Sequence, residues 1–192
     1  MAPTFSEPDK QNLKARKFLV WLFIVSSFIF FAGLTSGYIV YTAGDPSRGI
    51  KTILPKVFLY SSLVILASSI TMHLAYLSGK RLQLQKQKLF LGITASLGIV
   101  FFILQIQGWK QLVNQDVFFV SQNASQSFIY IFTGAHLAHI FAGILVVLTC
   151  LLGAVRKIPQ VKNIFRLETT SIFWHFLDIL WIYLYVFLLL NQ

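Results

Sequence analysis

The sequence predicts an all-α integral membrane protein, a bundle of five transmembrane helices, on three observations. The first is composition: 56% of the 192 residues are hydrophobic and 11% are charged, where a soluble domain carries roughly a quarter charged residues. The second is length. Five apolar runs each reach the roughly 20 residues that a helix needs to cross a hydrocarbon core about 30 Å thick at about 1.5 Å per residue. The third is pattern: the runs are continuously apolar rather than alternating, which excludes the strands of a closed barrel, the other structure that satisfies its backbone hydrogen bonds in lipid.

The runs are Phe18 to Gly44, Val57 to Gly79, Leu89 to Trp109, the region from about Ser127 to Val155, and Thr169 to Gln192, the last broken only by Asp178. Residues 1–16 read as a short polar amino-terminal tail and 17–192 as a single five-helix membrane domain. The first run is too long for the apolar region of a signal peptide, so it is expected to be retained. It contains Ala32-Gly33-Leu34-Thr35-Ser36-Gly37. Gly33 and Gly37 fall one turn apart on one face, a spacing that lets helices approach closely and is expected to serve packing within the bundle. Asp45-Pro46-Ser47 is turn chemistry after this run, and Pro55 suits the start of the second helix, where a missing N–H costs little.

Ser61, Ser62, Ser68 and Ser69 give the second span further small polar packing positions. The loop from Gln111 to Gln126 reads as a polar external segment with Val117, Phe118 and Phe119 dipping to the membrane interface. Pro159 falls in the fourth loop. No proline interrupts a span and no internal repeat is visible, which argues against the broken helices and inverted repeats of transporters. Cys150, the single cysteine, reads as a small core residue.

Orientation follows from the basic residues. The tail, the second loop and the fourth loop carry four each, twelve together, against three in the first loop and one in the third. The positive-inside rule therefore places the amino terminus in the cytoplasm and the carboxyl terminus on the periplasmic side. The formal net charge of +10 is spread over three cytoplasmic segments without aromatic interleaving. It fits anionic lipid headgroups and gives no sign of a nucleic-acid partner.

Ionisable residues inside the last two spans carry the most information, because they are costly there and need partners. In the fourth span His136 and His139 are spaced i and i+3, with Gly143 one turn further. In the fifth, Glu168, Ser171, His175, Asp178 and Tyr185 form one polar stripe flanked by Trp174 and Trp181. Two such helices should face each other and form a histidine and carboxylate cluster. The favoured reading is structural, with hydrogen bonds locking the packing. A metal or haem site is the second reading, but the spans supply too few carboxylates for a di-iron site and nothing marks a macrocycle pocket. A proton relay is the third, and the first three spans contain no acidic residue to complete a path. Trp174 and Trp181, mid-helix, suit either a protein-facing or headgroup-facing surface or plain core packing.

Thr133-Gly134-x-His136-x-x-His139-x-x-x-Gly143, then Glu168 followed by Trp174-His175-Phe176-x-Asp178-x-x-Trp181, with Phe31-Ala32-Gly33-Leu34 and Tyr38 in the first span, closely resemble subunit III of the haem-copper terminal oxidases, the cytochrome c and quinol oxidase family. The five-span layout resembles that family's shorter form, which lacks the first two helices of its seven-span members. The resemblance implies an accessory subunit without catalytic residues, cofactors or metal of its own. It would be bound to subunit I and near subunit II, which carry the haems and copper, in a bacterial inner membrane. It further implies phospholipid binding, support of proton uptake and oxygen access, a place in the aerobic respiratory chain, and membership of larger respiratory assemblies. His136, His139, Glu168, His175 and Asp178 match the family's polar pattern. Ser26-Ser27 departs from it, since many members carry a glutamate there.

Overall fold

The structure is a computed structural model that describes residues 7–45, 48–50, 52–120, 123–156 and 160–191; Pro46, Ser47 and Pro159 lie outside the described residues. Among the described residues the chain forms α1 (Glu7–Ala43), α2 (Lys56–Lys80), α3 (Leu84–Val113), α4 (Ala124–Val155) and α5 (Gln160–Leu190), with no strand. All five are long and apolar enough to cross a membrane.

Several helices outrun their apolar stretches. α1 begins at Glu7 and α5 at Gln160, well before the apolar runs that start at Phe18 and Thr169. Apolarity marks the part of a helix that lies in lipid, whereas propagation adds hydrogen bonds at little cost once a helix is nucleated. At 37 residues α1 is about 55 Å long, well beyond the hydrocarbon core.

Two helix ends are closed by the same device. Leu82 and Asp116 adopt left-handed conformations, φ 58° and 59°. Around Leu82, Gln83 N–H donates to Ser78 O (3.0 Å) and Leu82 N–H to Gly79 O (3.2 Å). Around Asp116, Val117 N–H donates to Leu112 O (3.0 Å) and Asp116 N–H to Val113 O (3.1 Å). Both are Schellman motifs, which satisfy the last carbonyls and fold the following residue back on its helix. Val117 is consequently buried beside buried Leu112. The expectation that it dips into the membrane interface is corrected, because the sequence pattern did not reveal the reversal at Asp116. Phe118 and Phe119 are exposed.

At the start of α4 the Asn123 side chain accepts from Ser125 N–H (3.0 Å) as an N-cap and donates to Gly49 O (3.2 Å), while Ser125 Oγ donates to Arg48 O. The first loop is thereby fastened to the start of the fourth helix. Pro55, at the N-cap of α2, accepts from Phe58 N–H (3.0 Å) through its carbonyl.

Helices α2, α3, α4 and α5 close a ring, each packing on the next and α5 returning to α2, and α1 lies against α4 and α5. Contacts between neighbours in the ring pair low numbers with high ones, as in Thr71 with Thr94, Trp109 with Thr133 and Cys150 with Thr170, so the four alternate in direction. The α1–α5 contacts Lys17–Glu168 and Thr35–Tyr183 rise together, so these two run parallel. An up-and-down bundle with one external helix results, as short loops between successive spans require.

Candidate functional site

Trp174 and Trp181 point into the axis of the ring. Both are fully buried. A Cβ added at Gly98 of α3 would stand 3.0 Å from Trp174 Cη2, and one at Gly143 of α4 would stand 3.1 Å from Trp174 Cζ3. Two glycines thus make room for one indole between facing helices. One stretch further along, Trp181 packs against Phe58 of α2, Phe101 of α3 and His136 of α4, with ring centroids 6.2, 5.1 and 5.1 Å away.

The indole N–H groups find their partners on α2. Trp174 Nε1 donates to Ser68 Oγ (3.0 Å) and Trp181 Nε1 to Ser62 Oγ (2.9 Å). Serine suits this use in a helix. Ser62 Oγ donates its proton to Phe58 O (2.8 Å) one turn back, which leaves its oxygen free to accept from a group that can only donate. The same logic joins Gln105 Nε2 to Ser61 Oγ (2.9 Å) and Trp109 Nε1 to Thr133 Oγ1 (2.9 Å). Both tryptophans are packed in the core of the ring. Sequence reasoning noted the α2 serines only as small residues. The usable signal was their spacing: Ser62 and Ser68, six residues apart, come within one residue of the seven-residue Trp181 and Trp174 interval when the helices run antiparallel. It also passed over Gln105, a polar residue buried in an apolar span.

The polar residues expected to cluster between α4 and α5 are instead distributed over three interfaces. His175 Nδ1 lies 2.7 Å from Ser69 Oγ of α2 and 3.8 Å from Asp178 Oδ2, and its ring centroid is 6.2 Å from that of His73. Asp178 is buried, yet neither carboxylate oxygen has a hydrogen-bond partner among the described residues. His136 is fully buried among Phe31, Phe101 and Trp181, with neither ring nitrogen hydrogen-bonded to described residues. His139 turns to α1. Its Nδ1 lies 2.8 Å from Ala135 O and its Nε2 lies 3.3 Å from Ser27 Oγ. A carbonyl only accepts, so Nδ1 carries the proton, while Ser27 Oγ, whose own proton goes to Phe23 O at 2.8 Å, stands beside Nε2. Spacing alone put the two histidines on one broad face; three residues advance a helix by about 300°, so neighbours on that face still diverge toward different helices.

Glu168 pairs with Lys17 of α1 at 3.0 Å. Ser171 is buried. Gly33 and Gly37 are exposed, and a Cβ at either would meet no described atom of another helix within 4 Å. Their expected role in packing within the bundle is corrected, because α1 presents this face away from α4 and α5. The closely packed glycines are Gly79, Gly98, Gly108 and Gly143, with Leu167 against Gly79 at 2.8 Å and Phe58 against Gly108 at 3.0 Å. Among the described residues no group of three or more His, Cys, Asp or Glu side chains is placed to hold a metal ion.

Comparison with known proteins gives this arrangement its context. Residues 9–191 match the family described as cytochrome c oxidase subunit III. The chain belongs to that family. It is 29% identical over 190 residues to cytochrome c oxidase subunit 3 of Bacillus subtilis (strain 168), covering 96% of this chain and 91% of that one. It is 33% identical over 165 residues to cytochrome bo(3) ubiquinol oxidase subunit 3 of Pseudomonas aeruginosa, covering 84% and 78%. With the mouse cytochrome c oxidase subunit 3 it shares 30% identity over 185 residues, 90% of this chain and 68% of the relative.

Membership makes this chain a subunit type found in multi-subunit haem-copper oxidases, and its five apolar helices make it a multi-pass membrane protein. An accessory role fits what the polar residues do. Ser27 of α1 places a neutral hydroxyl 3.3 Å from His139 Nε2. The α1–α4 contact is therefore held in this chain without an ionisable acid from α1.

Proposed function

We propose that this chain is the accessory subunit III of a proton-pumping cytochrome c oxidase in a bacterial inner membrane. Its amino terminus is cytoplasmic and it is held principally against catalytic subunit I, which with subunit II carries the haems and copper. The family match over residues 9–191 carries this reading. Two features support it. The ring axis, where cofactor-bearing bundles hold their cofactors, is filled by Trp174, Trp181, Phe101 and His136. The intramembrane polar groups His139 and His175 are engaged with hydroxyls of neighbouring helices. The subunit contributes a rigid apolar wall, a surface for phospholipid chains, and shelter for proton uptake and oxygen access in its larger neighbour.

A quinol oxidase is the second reading, favoured by the 33% identity to the ubiquinol oxidase subunit. One preparation tests both. The tagged chain, extracted from its native membranes in mild detergent, should bring down a haem- and copper-containing complex that consumes oxygen. Oxidation of reduced cytochrome c by that complex supports the first reading and oxidation of quinol alone the second. Recovery of this chain with no haem protein would overturn both.

A further inference from the structure

Helices α2 and α5 leave between them an outward-facing groove of about 500 Å³, lined by Leu66, Ser69, His175, Asp178, Ile179, Ile182 and Tyr183. We infer that this groove receives one transmembrane helix of a neighbouring oxidase subunit, which presents a hydroxyl or amide donor to Asp178. The inference rests on the oxidase-subunit reading above and adds where the contact is made and by what chemistry.

Three observations carry it. Asp178 lines the groove with 3% of its surface accessible, and neither of its oxygens is hydrogen-bonded to described residues; His175 Nδ1 stands 3.8 Å from Oδ2, beyond hydrogen-bond distance, and 2.7 Å from Ser69 Oγ. A carboxyl buried in this way is expensive unless something donates to it. Its position limits the donor. Asp178 sits 15 residues from Asn163 and 12 from Leu190, the ends of the α5 span, or about 22 and 18 Å along the helix. Leu66 and Ser69 are likewise central in α2. A headgroup lies about 15 Å or more from the bilayer midplane, and acyl chains carry no donor. A lipid therefore fills the groove but gives the carboxyl no hydrogen-bond donor. The rim, finally, is apolar and exposed, with Leu66, Ile179 and Tyr183 open on its sides. An apolar helix with one polar residue complements such a surface, since small polar contacts between helices in lipid replace the hydrophobic effect as the specific element.

The test uses the intact complex. A photo-activatable cross-linking side chain is placed at Ile182 or, on the opposite wall, at Leu66, with Ile29 on the outer side of α1 as the control; the complex is irradiated in the membrane before extraction. Both groove positions should form an adduct with a haem-bearing subunit, and Ile29 should label lipid. Adducts at Ile182 and Leu66 with lipid alone or with a second copy of this chain, in a complex that retains its haem, would overturn the inference and leave the oxidase reading standing. Absence of any haem protein from the preparation would overturn both. In the same complex, Asp178→Leu should speed loss of this chain during detergent washing by roughly three- to tenfold, and Asp178→Asn, which keeps an acceptor, should retain it near the unsubstituted level. Equal retention of all three would overturn the role given to the carboxyl.

Discussion

α1 and α5 both cross the membrane and run parallel, yet they do opposite things for the fold. In the most apolar stretch of α5, 44% of the residues are buried, against 22% in α1, although the α1 stretch is the more apolar of the two. Hydropathy says whether a helix is comfortable in lipid. It does not say whether the helix is central, because lipid chains are as apolar as leucine and provide no drive toward the middle. What centres α5 is its two indoles: both N–H groups donate to serines of α2, the Trp174 ring fits against Gly98 of α3 and Gly143 of α4, and the Trp181 ring packs on Phe58, Phe101 and His136. α1 is tied on by Phe31 and Tyr38, which it buries, and by peripheral polar contacts that include Ser27 with His139, Tyr183 OH to Thr35 Oγ1 at 3.0 Å, and Lys17 with Glu168.

The contrast breaks most readily at Trp174. Trp174→Ala removes a fully buried indole and leaves Ser68 without its donor. The expected loss is about 3 kcal/mol in unfolding free energy, read from the unfolding midpoint in mixed micelles. A loss below about 1 kcal/mol would mean the axis collapses around the void and α5 is less central than its burial shows. On α1 only truncation of the buried Phe31 or Tyr38 should approach this effect.

The glycines sharpen the comparison. Gly143→Ala places a methyl 3.0 Å from Leu177 Cδ1 and 3.1 Å from Trp174 Cζ3, and should cost about 1–3 kcal/mol by overpacking. Gly37→Ala meets nothing within 4 Å and should be neutral or stabilise by up to about 1 kcal/mol through helix propensity. The same midpoint measurement on both variants checks the difference. If Gly37→Ala were as costly as Gly143→Ala in the assembled complex, a partner helix would lie on the outer face of α1.

Much of this was legible in the sequence and some was not, for identifiable reasons. Five spans follow from apolar length alone, and the α5 residues that need partners follow from their cost in lipid. Which partner each one takes did not follow. His136 and His139 looked like a pair facing carboxylates, but a three-residue step sends one into the aromatic axis and the other to α1. Gly33 and Gly37 had the spacing of a close contact, and spacing is blind to whether a neighbour stands opposite. The serine pairs of α2 were visible and under-read, since a helical serine that donates to its own backbone becomes an acceptor, and that converts a small residue into a specific mate for tryptophan.

The smallest effect belongs to the ionic tie of α1. Lys17 and Glu168 are 42% and 35% exposed, so water and salt screen their attraction, and ordering two long side chains offsets part of it. Lys17→Gln should therefore lower stability by less than about 1 kcal/mol, and that loss should shrink further when the unfolding titration is repeated at high salt. The neighbouring contact of Phe23 with Phe173, edge to face at 5.6 Å, remains in the variant and keeps the ends of α1 and α5 together without the charges. A loss several times larger, and insensitive to salt, would show that the pair is shielded in the assembled protein by something packed over it. The external position of α1 would then be a property of this chain alone, and the contrast with α5 would disappear in the complex.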